Sequence, residues 1–249
     1  MSSRVPAAPR SVTRPANFDR LAGIYRWLEW FSFGPWLSRA RRTFLYRLAD
    51  RRCALLLGDG DGRFTAALLR INPNVEVDAV DASRAMLDAL MRRAGGSQAR
   101  VRTQLADARR WRPAKERRYD LVATHFFLDC LTTEEVRRLA VAVRPVLAPG
   151  ALWVVSEFAI PDNHAGRLLA RPIVAVLYWA FGRLTGLRVR RLPDHRGALQ
   201  DAGFRVVGRR SFLRGLLAGE VWAVGGPTMK PQPGCYKYVK INRVKELAT

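Results

Sequence analysis

The segment Ala54-Leu55-Leu56-Leu57-Gly58-Asp59-Gly60-Asp61-Gly62-Arg63-Phe64 sets the architecture. Four apolar residues run without interruption into three alternating glycines, and a helical pattern starts at Arg63. An unbroken apolar run of this length fits a strand buried on both faces, as in a parallel sheet. Glycine supplies positive φ for a tight turn and lets a ligand approach bare backbone beside a helix N-terminus. Asp81 follows 21 residues after Gly60, at the tip of the next apolar run, where a carboxylate can accept hydrogen bonds from ribose hydroxyls. Glycine turn and acid together point to a nucleoside ligand. The spacing Gly58-x-Gly60-x-Gly62 departs from the GxGxxG of dinucleotide folds, and no GxxxxGK[ST] occurs. Asp59 and Asp61 inside the turn would repel a pyrophosphate and suit a ligand bearing positive charge.

Outward from this turn the chain alternates short apolar runs with helical stretches. Strands are expected at 53–57, 75–80, 101–105, 121–124, 151–158, 204–212 and 216–224, with helices at 63–70, 83–93 and 133–147. That alternation predicts an α/β fold with a mostly parallel sheet covered by helices on both faces, since parallel strands need crossover connections. A short Arg214-Gly215 turn predicts a closing antiparallel hairpin. Two helices are expected between Phe18 and Leu48, broken at Phe33-Gly34-Pro35. The insertion from about 161 to 200 carries an apolar helical face (Leu168, Leu169, Ile173, Val176, Leu177, Phe181) and is expected to cap the sheet's ligand end. Residues 1–16 read as a disordered basic tail, 17–228 as the domain, and 229–249 as a tail of uncertain origin.

With 249 residues, 49% hydrophobic, the chain can bury a full core. Cys53, Cys130 and Cys235 are too few and too scattered for a disulfide framework or metal clamp, which fits a reducing, cytoplasmic setting. The start shows no signal-peptide pattern, and the run from Pro172 to Gly182 is too short to span a bilayer. Net charge is +22, of which +15 remains once the two tails are set aside. Such a balance suits an anionic membrane surface or nucleic acid, or a merely solvated face. Four of the five lysines fall in the last 20 residues, which sets that segment apart in composition.

The glycine segment resembles the S-adenosylmethionine loop of class I methyltransferases, and the opening resembles the ubiquinone/menaquinone-biosynthesis type. The resemblance extends through Val80-Asp81-Ala82-Ser83 with Met86-Leu87, Leu105-Ala106-Asp107-Ala108, Tyr119-Asp120-Leu121-Val122 and Leu147-Ala148-Pro149-Gly150. It implies a Rossmann-like seven-stranded sheet with the seventh strand antiparallel, and S-adenosylmethionine as cofactor. It further implies Gly58, Gly60 and Gly62 against the methionine part, Asp81 on the ribose, Asp107 on the adenine amino group, and Ala82, Met86 and Ala108 around the ring. Tyr25 matches a family tyrosine that closes over the cofactor. One departure stands out: the family's acid two residues before the first glycine is Leu56 here, leaving Asp59 or Asp61 to hold the ammonium.

Methyl transfer from a sulfonium needs an aligned nucleophile and a group to take its proton. His125 and Asp129, four residues apart after the fourth strand, would share one cleft if a helical turn began there. His164 and His195 lie in or near the insertion as further candidates. Phe126, Phe127, Tyr178, Trp179 and Phe181 predict an apolar pocket for a small lipophilic or aromatic acceptor methylated at carbon or oxygen. The basic insertion could rest on an anionic membrane surface. An RNA methyltransferase or a non-catalytic S-adenosylmethionine-binding module are the alternatives.

Overall fold

The computed structural model describes residues 35–159 and 192–225. Tyr25, His164, the aromatic residues 178–181, both tails and most of the predicted insertion lie outside the described residues. A single sheet of seven strands organises the rest: β1 (Cys53–Leu57), β2 (Glu76–Asp81), β3 (Val101–Leu105), β4 (Tyr119–His125), β5 (Leu147–Phe158), β6 (Phe204–Phe212) and β7 (Leu217–Val224). Their order is β3-β2-β1-β4-β5-β7-β6, with β1 to β5 parallel and β7 antiparallel to both its neighbours. This is the Rossmann-like arrangement, with its antiparallel seventh strand, that the sequence resemblance implies.

Helices α1 (Pro35–Arg42), α2 (Arg63–Ile71), α3 (Arg84–Ala94), α4 (Thr133–Val143) and α5 (His195–Asp201) accompany it. The alternation of side chains along each strand sorts the core into two layers. Leu55, Leu57, Val122, Trp153 and Val155 meet Val136, Leu139 and Val143 of α4 and Leu199 of α5. Ala54, Leu56, Leu121, Ala123 and Val154 meet Phe64 and Leu68 of α2 and Leu90 of α3. Trp153 and Trp222 face each other across β5 and β7, both fully buried. Their ring nitrogens donate to Thr124 Oγ1 and Glu220 Oε2 at 3.0 Å each, so neither polar handle is orphaned.

Three sequence expectations are corrected here. The helix expected through Leu147 ends at Val143, because Pro145 has no N–H to continue the ladder, and Leu147 already opens β5. The apolar spacing from Leu37 to Leu48 belongs to α1 and a separate 3₁₀ turn at Leu45–Leu48. The insertion does not reach residue 200: His195–Asp201 is α5, whose Ala198 and Leu199 are fully buried in the sheet-covering layer.

Candidate active site

The chain runs β1 to β3 outward in one direction and then returns to place β4 on the other side of β1. That reversal is the topological switch point at which ligands bind α/β sheets, outside the carboxyl ends of the strands. Gly58, Asp81, Asp107, Phe126 and Phe158 all stand at that edge. Backbone hydrogen bonds tie the tips together: Gly58 N–H to Val80 O at 2.9 Å, Ala106 N–H to Asp81 O at 3.0 Å, and Phe126 N–H to Ser156 O at 2.7 Å.

The three glycines have φ of +66°, +59° and +79°, as a left-handed turn requires, but they face different neighbours. A Cβ on Gly58 would overlap the Phe127 ring. A Cβ on Gly62 would lie 2.7 Å from the Leu90 backbone, so this glycine serves the close approach of α3 to the start of α2. Gly60 is the least crowded of the three, with Met86 Sδ at an ordinary contact distance of 3.9 Å from its missing Cβ. Of the three, Gly60 fits the family's contact with the methionine part, and Gly62 is explained by packing.

Asp81 sits partly exposed at the tip of β2, with Oδ1 accepting from Ser83 N–H at 2.9 Å. Ser83 in turn caps α3 by accepting from Met86 N–H, which brings Met86 back toward the glycine turn; Ala82 between them is exposed. Asp107 is clamped by Arg109, which donates to both carboxylate oxygens at 2.7–3.0 Å. Burial works against its ionisation, yet the Arg109 bonds outweigh it and hold Asp107 below the usual carboxylate range. Ala108 is buried beside it.

At the departure from the family pattern, Leu56 is 1% exposed and belongs to the α2–α3 layer. Asp59 does not simply replace the missing acid. Its Oδ2 accepts from Thr65 N–H at 2.9 Å and Thr65 Oγ1 at 2.6 Å, which pins the turn to the first turn of α2. Burial pushes its carboxyl up to about 6 despite those bonds. Asp61 pairs with Arg63 and Arg93, at 3.2 and 2.7 Å. These residues fit the nucleoside end of S-adenosylmethionine well, and its amino-acid end only through the glycine backbone.

His125 and Asp129 are not brought into one cleft. β4 runs on through His125, Asp129 falls in the 3₁₀ turn Leu128–Cys130 beyond it, and the two side chains meet partners on opposite faces of the sheet. His125 Nδ1 lies 2.9 Å from Ser156 Oγ, which itself donates to Ala40 O, so the ring nitrogen is the donor. The ring packs on Phe64, with centroids 4.2 Å apart. Burial, helped by nearby Arg41, lowers its pKa to about 3. Asp129 instead hydrogen-bonds the carboxyl of Glu157, the residue after Ser156 on β5 and so on the opposite face. Nor is Asp129 a helix cap: Thr132 caps α4 in a reciprocal box with Glu135. His195 opens α5, with Nε2 3.4 Å from Glu220 Oε2.

Glu157 and Glu220, each 1% exposed, escaped the sequence reading. The available signal was an acid inside an otherwise apolar strand run, Val154-Val155-Ser156-Glu157-Phe158 and Leu217-Ala218-Gly219-Glu220-Val221-Trp222.

The His125 assignment has a pH signature. A histidine with a depressed folded pKa stabilises fully above its unfolded value of 6.5, and that contribution is lost as pH falls toward the folded value. In urea unfolding, His125→Asn is less stable than the wild type at pH 7.5, and the gap closes by about 2 kcal/mol at pH 5. Parallel stability curves would contradict the buried, neutral histidine.

Residues 54–150 match the family described as methyltransferase domain. No curated protein matches the chain. Among solved structures, an O-methyltransferase family protein from Burkholderia thailandensis is 16% identical, with a TM-score of 0.63 over 84% of this chain and 61% of its own. The mitomycin 7-O-methyltransferase MmcR is 17% identical, with a TM-score of 0.62 over 84% of this chain and 60% of its own. The S-adenosylmethionine-dependent methyltransferase SibL is 22% identical, with a TM-score of 0.62 over 86% of this chain and 63% of its own. The chain thus spans about three fifths of each of these neighbours. Among the described residues, no group of side chains could hold a metal ion, and no helix is long and apolar enough to cross a membrane.

Proposed function

We propose that the chain is an S-adenosylmethionine-dependent methyltransferase acting on a small lipophilic or aromatic acceptor, at carbon or oxygen. The observation that supports this reading is the left-handed glycine turn after β1 and the Asp81 carboxylate at the tip of the neighbouring β2, both at the switch point of the sheet. Asp81 would hold the ribose, Met86 and Ala108 the adenine, and the glycine turn the methionine part. When bound, the cofactor supplies a methyl group on a sulfonium. The chain's own task is to align the acceptor and remove its proton. For a hydroxyl acceptor we assign that task to Asp129: the O–H bond breaks toward its carboxylate as the oxygen takes the methyl, leaving a neutral thioether. Phe126 and Phe158, with centroids 5.4 Å apart, supply aromatic surface at the same carboxyl edge of the sheet. His125 has a structural role in this reading.

The neighbours' names support an O-methyl acceptor of small size. A second reading, an RNA acceptor, draws on the exposed Arg102, Arg109, Arg110, Arg112 and Arg118 along the β3 edge. Incubation with methyl-labelled S-adenosylmethionine and a host extract tests both. The label enters the lipid-soluble fraction if the acceptor is lipophilic, and the nucleic acid fraction if it is RNA. A lack of transfer despite S-adenosylhomocysteine binding would leave only a cofactor-binding module. Vesicle sedimentation tests the membrane: retention on anionic but not neutral vesicles supports a peripheral site, and equal partitioning rejects it.

A further inference from the structure

The turn that follows β4 is strained. Phe126 has a φ of +54°, a left-handed backbone that a bulky side chain rarely adopts. This turn brings Phe127 to Gly58 and Asp129 to the far face of the sheet. What holds it is Glu157: Oε1 accepts from Phe127 N–H at 3.2 Å and Leu128 N–H at 2.9 Å. The same carboxyl hydrogen-bonds Asp129, which also accepts from Phe158 N–H at 3.5 Å. Two carboxylates in hydrogen-bond contact cannot both be ionised, so the pair carries one proton.

We propose that Glu157 is a positioning residue, whose single carboxyl both clamps the strained turn that sets Phe127 against the cofactor loop and presents Asp129 to the acceptor through a shared proton. The Asp129 part rests on the methyltransferase reading above; the clamp and the proton do not. Burial and the charge of Asp129 push Glu157 well above the usual carboxyl range. In the proposal Glu157 donates the shared proton, from the oxygen not taken by the two backbone N–H groups, and Asp129 is the carboxylate that accepts. Burial raises Asp129 as well, against the Glu157 bond, His195 and the Phe158 N–H. The groups facing the pair are His195 of α5, itself against Glu220 of β7, and Cys130, whose thiol burial pushes up.

Glu157→Leu removes clamp and proton donor, whereas Glu157→Gln keeps an oxygen for the two backbone N–H groups and an amide donor for Asp129. The measurements are the Asp129 carboxyl titration by carbon-13 NMR and the calorimetric affinity for S-adenosylhomocysteine. In Glu157→Leu, Asp129 titrates at least about one pH unit higher and the affinity falls at least about fivefold; Glu157→Gln restores most of both. A residue that merely fills space would leave the Asp129 midpoint where it is in the wild type, and that result overturns the proposal. Should Glu157→Leu not fold, Asp129→Asn decides: the Glu157 midpoint drops by at least about one unit if the proton is shared, and stays put if it is not. A wild type that fails to bind S-adenosylhomocysteine would overturn the proposed function while the titrations still decide the pair.

Discussion

Asp81→Ala weakens S-adenosylhomocysteine binding roughly a hundredfold, because a carboxylate that meets two ribose hydroxyls loses two charge-assisted bonds of about 1.5–3 kcal/mol each. Part of that is offset by water entering the gap. Asp81 also accepts from Ser83 N–H within the fold, so the variant must be shown to melt near the wild type before its affinity is read. Asp107→Ala provides the contrast. Both oxygens of Asp107 are occupied by Arg109, so its removal frees a guanidinium and costs less affinity than the loss of Asp81. Equal affinity for Asp81→Ala and wild type in calorimetry would remove the ribose assignment.

Gly62→Ala carries the second large effect, and it falls on stability. An L side chain at φ +79° costs about 1–2 kcal/mol, and overlap with the Leu90 backbone adds about 1–3 kcal/mol, since a helix cannot move aside locally. Gly60→Ala has the same kind of backbone strain but only Met86 Sδ within 4 Å. It therefore loses about 1–2 kcal/mol of stability, and its larger defect is in cofactor affinity, where the new methyl group occupies the ligand's approach. Urea unfolding beside calorimetry separates the two. If both glycine variants lose stability equally and neither loses affinity, the division of labour within the turn is wrong.

The sheet was legible in the sequence because its central strands are buried on both faces. Runs such as Ala54–Leu57 and Leu121–Ala123 stay apolar without a break, and a glycine or an aspartate marks where some runs end, as at Gly58 and Asp81. The final hairpin was legible from its short turn, and Asp81 from its place at a strand tip. The catalytic side was not. His125 and Asp129 looked like neighbours under a helical spacing, yet His125 is still strand and Asp129 lies in the 3₁₀ turn after it, and their partners, Ser156 and Glu157, stand on opposite faces of β5. Glu157 pairs with Asp129 only after β4 and β5 are aligned, which local pattern cannot report. Asp59 likewise reads as a ligand for positive charge until Thr65 folds back onto it. In each case the missing information was a contact across strands or turns, set by register and not by composition.

The central claim is that the crevice between the glycine turn and the β2 tip holds the cofactor. Diffraction from crystals grown with S-adenosylhomocysteine tests it at atomic level. The ribose hydroxyls are expected on the Asp81 carboxylate, with the amino-acid end along Gly60 and the adenine beside Met86. Density for the ligand elsewhere, or a crevice left to solvent at saturating concentration, would contradict the account.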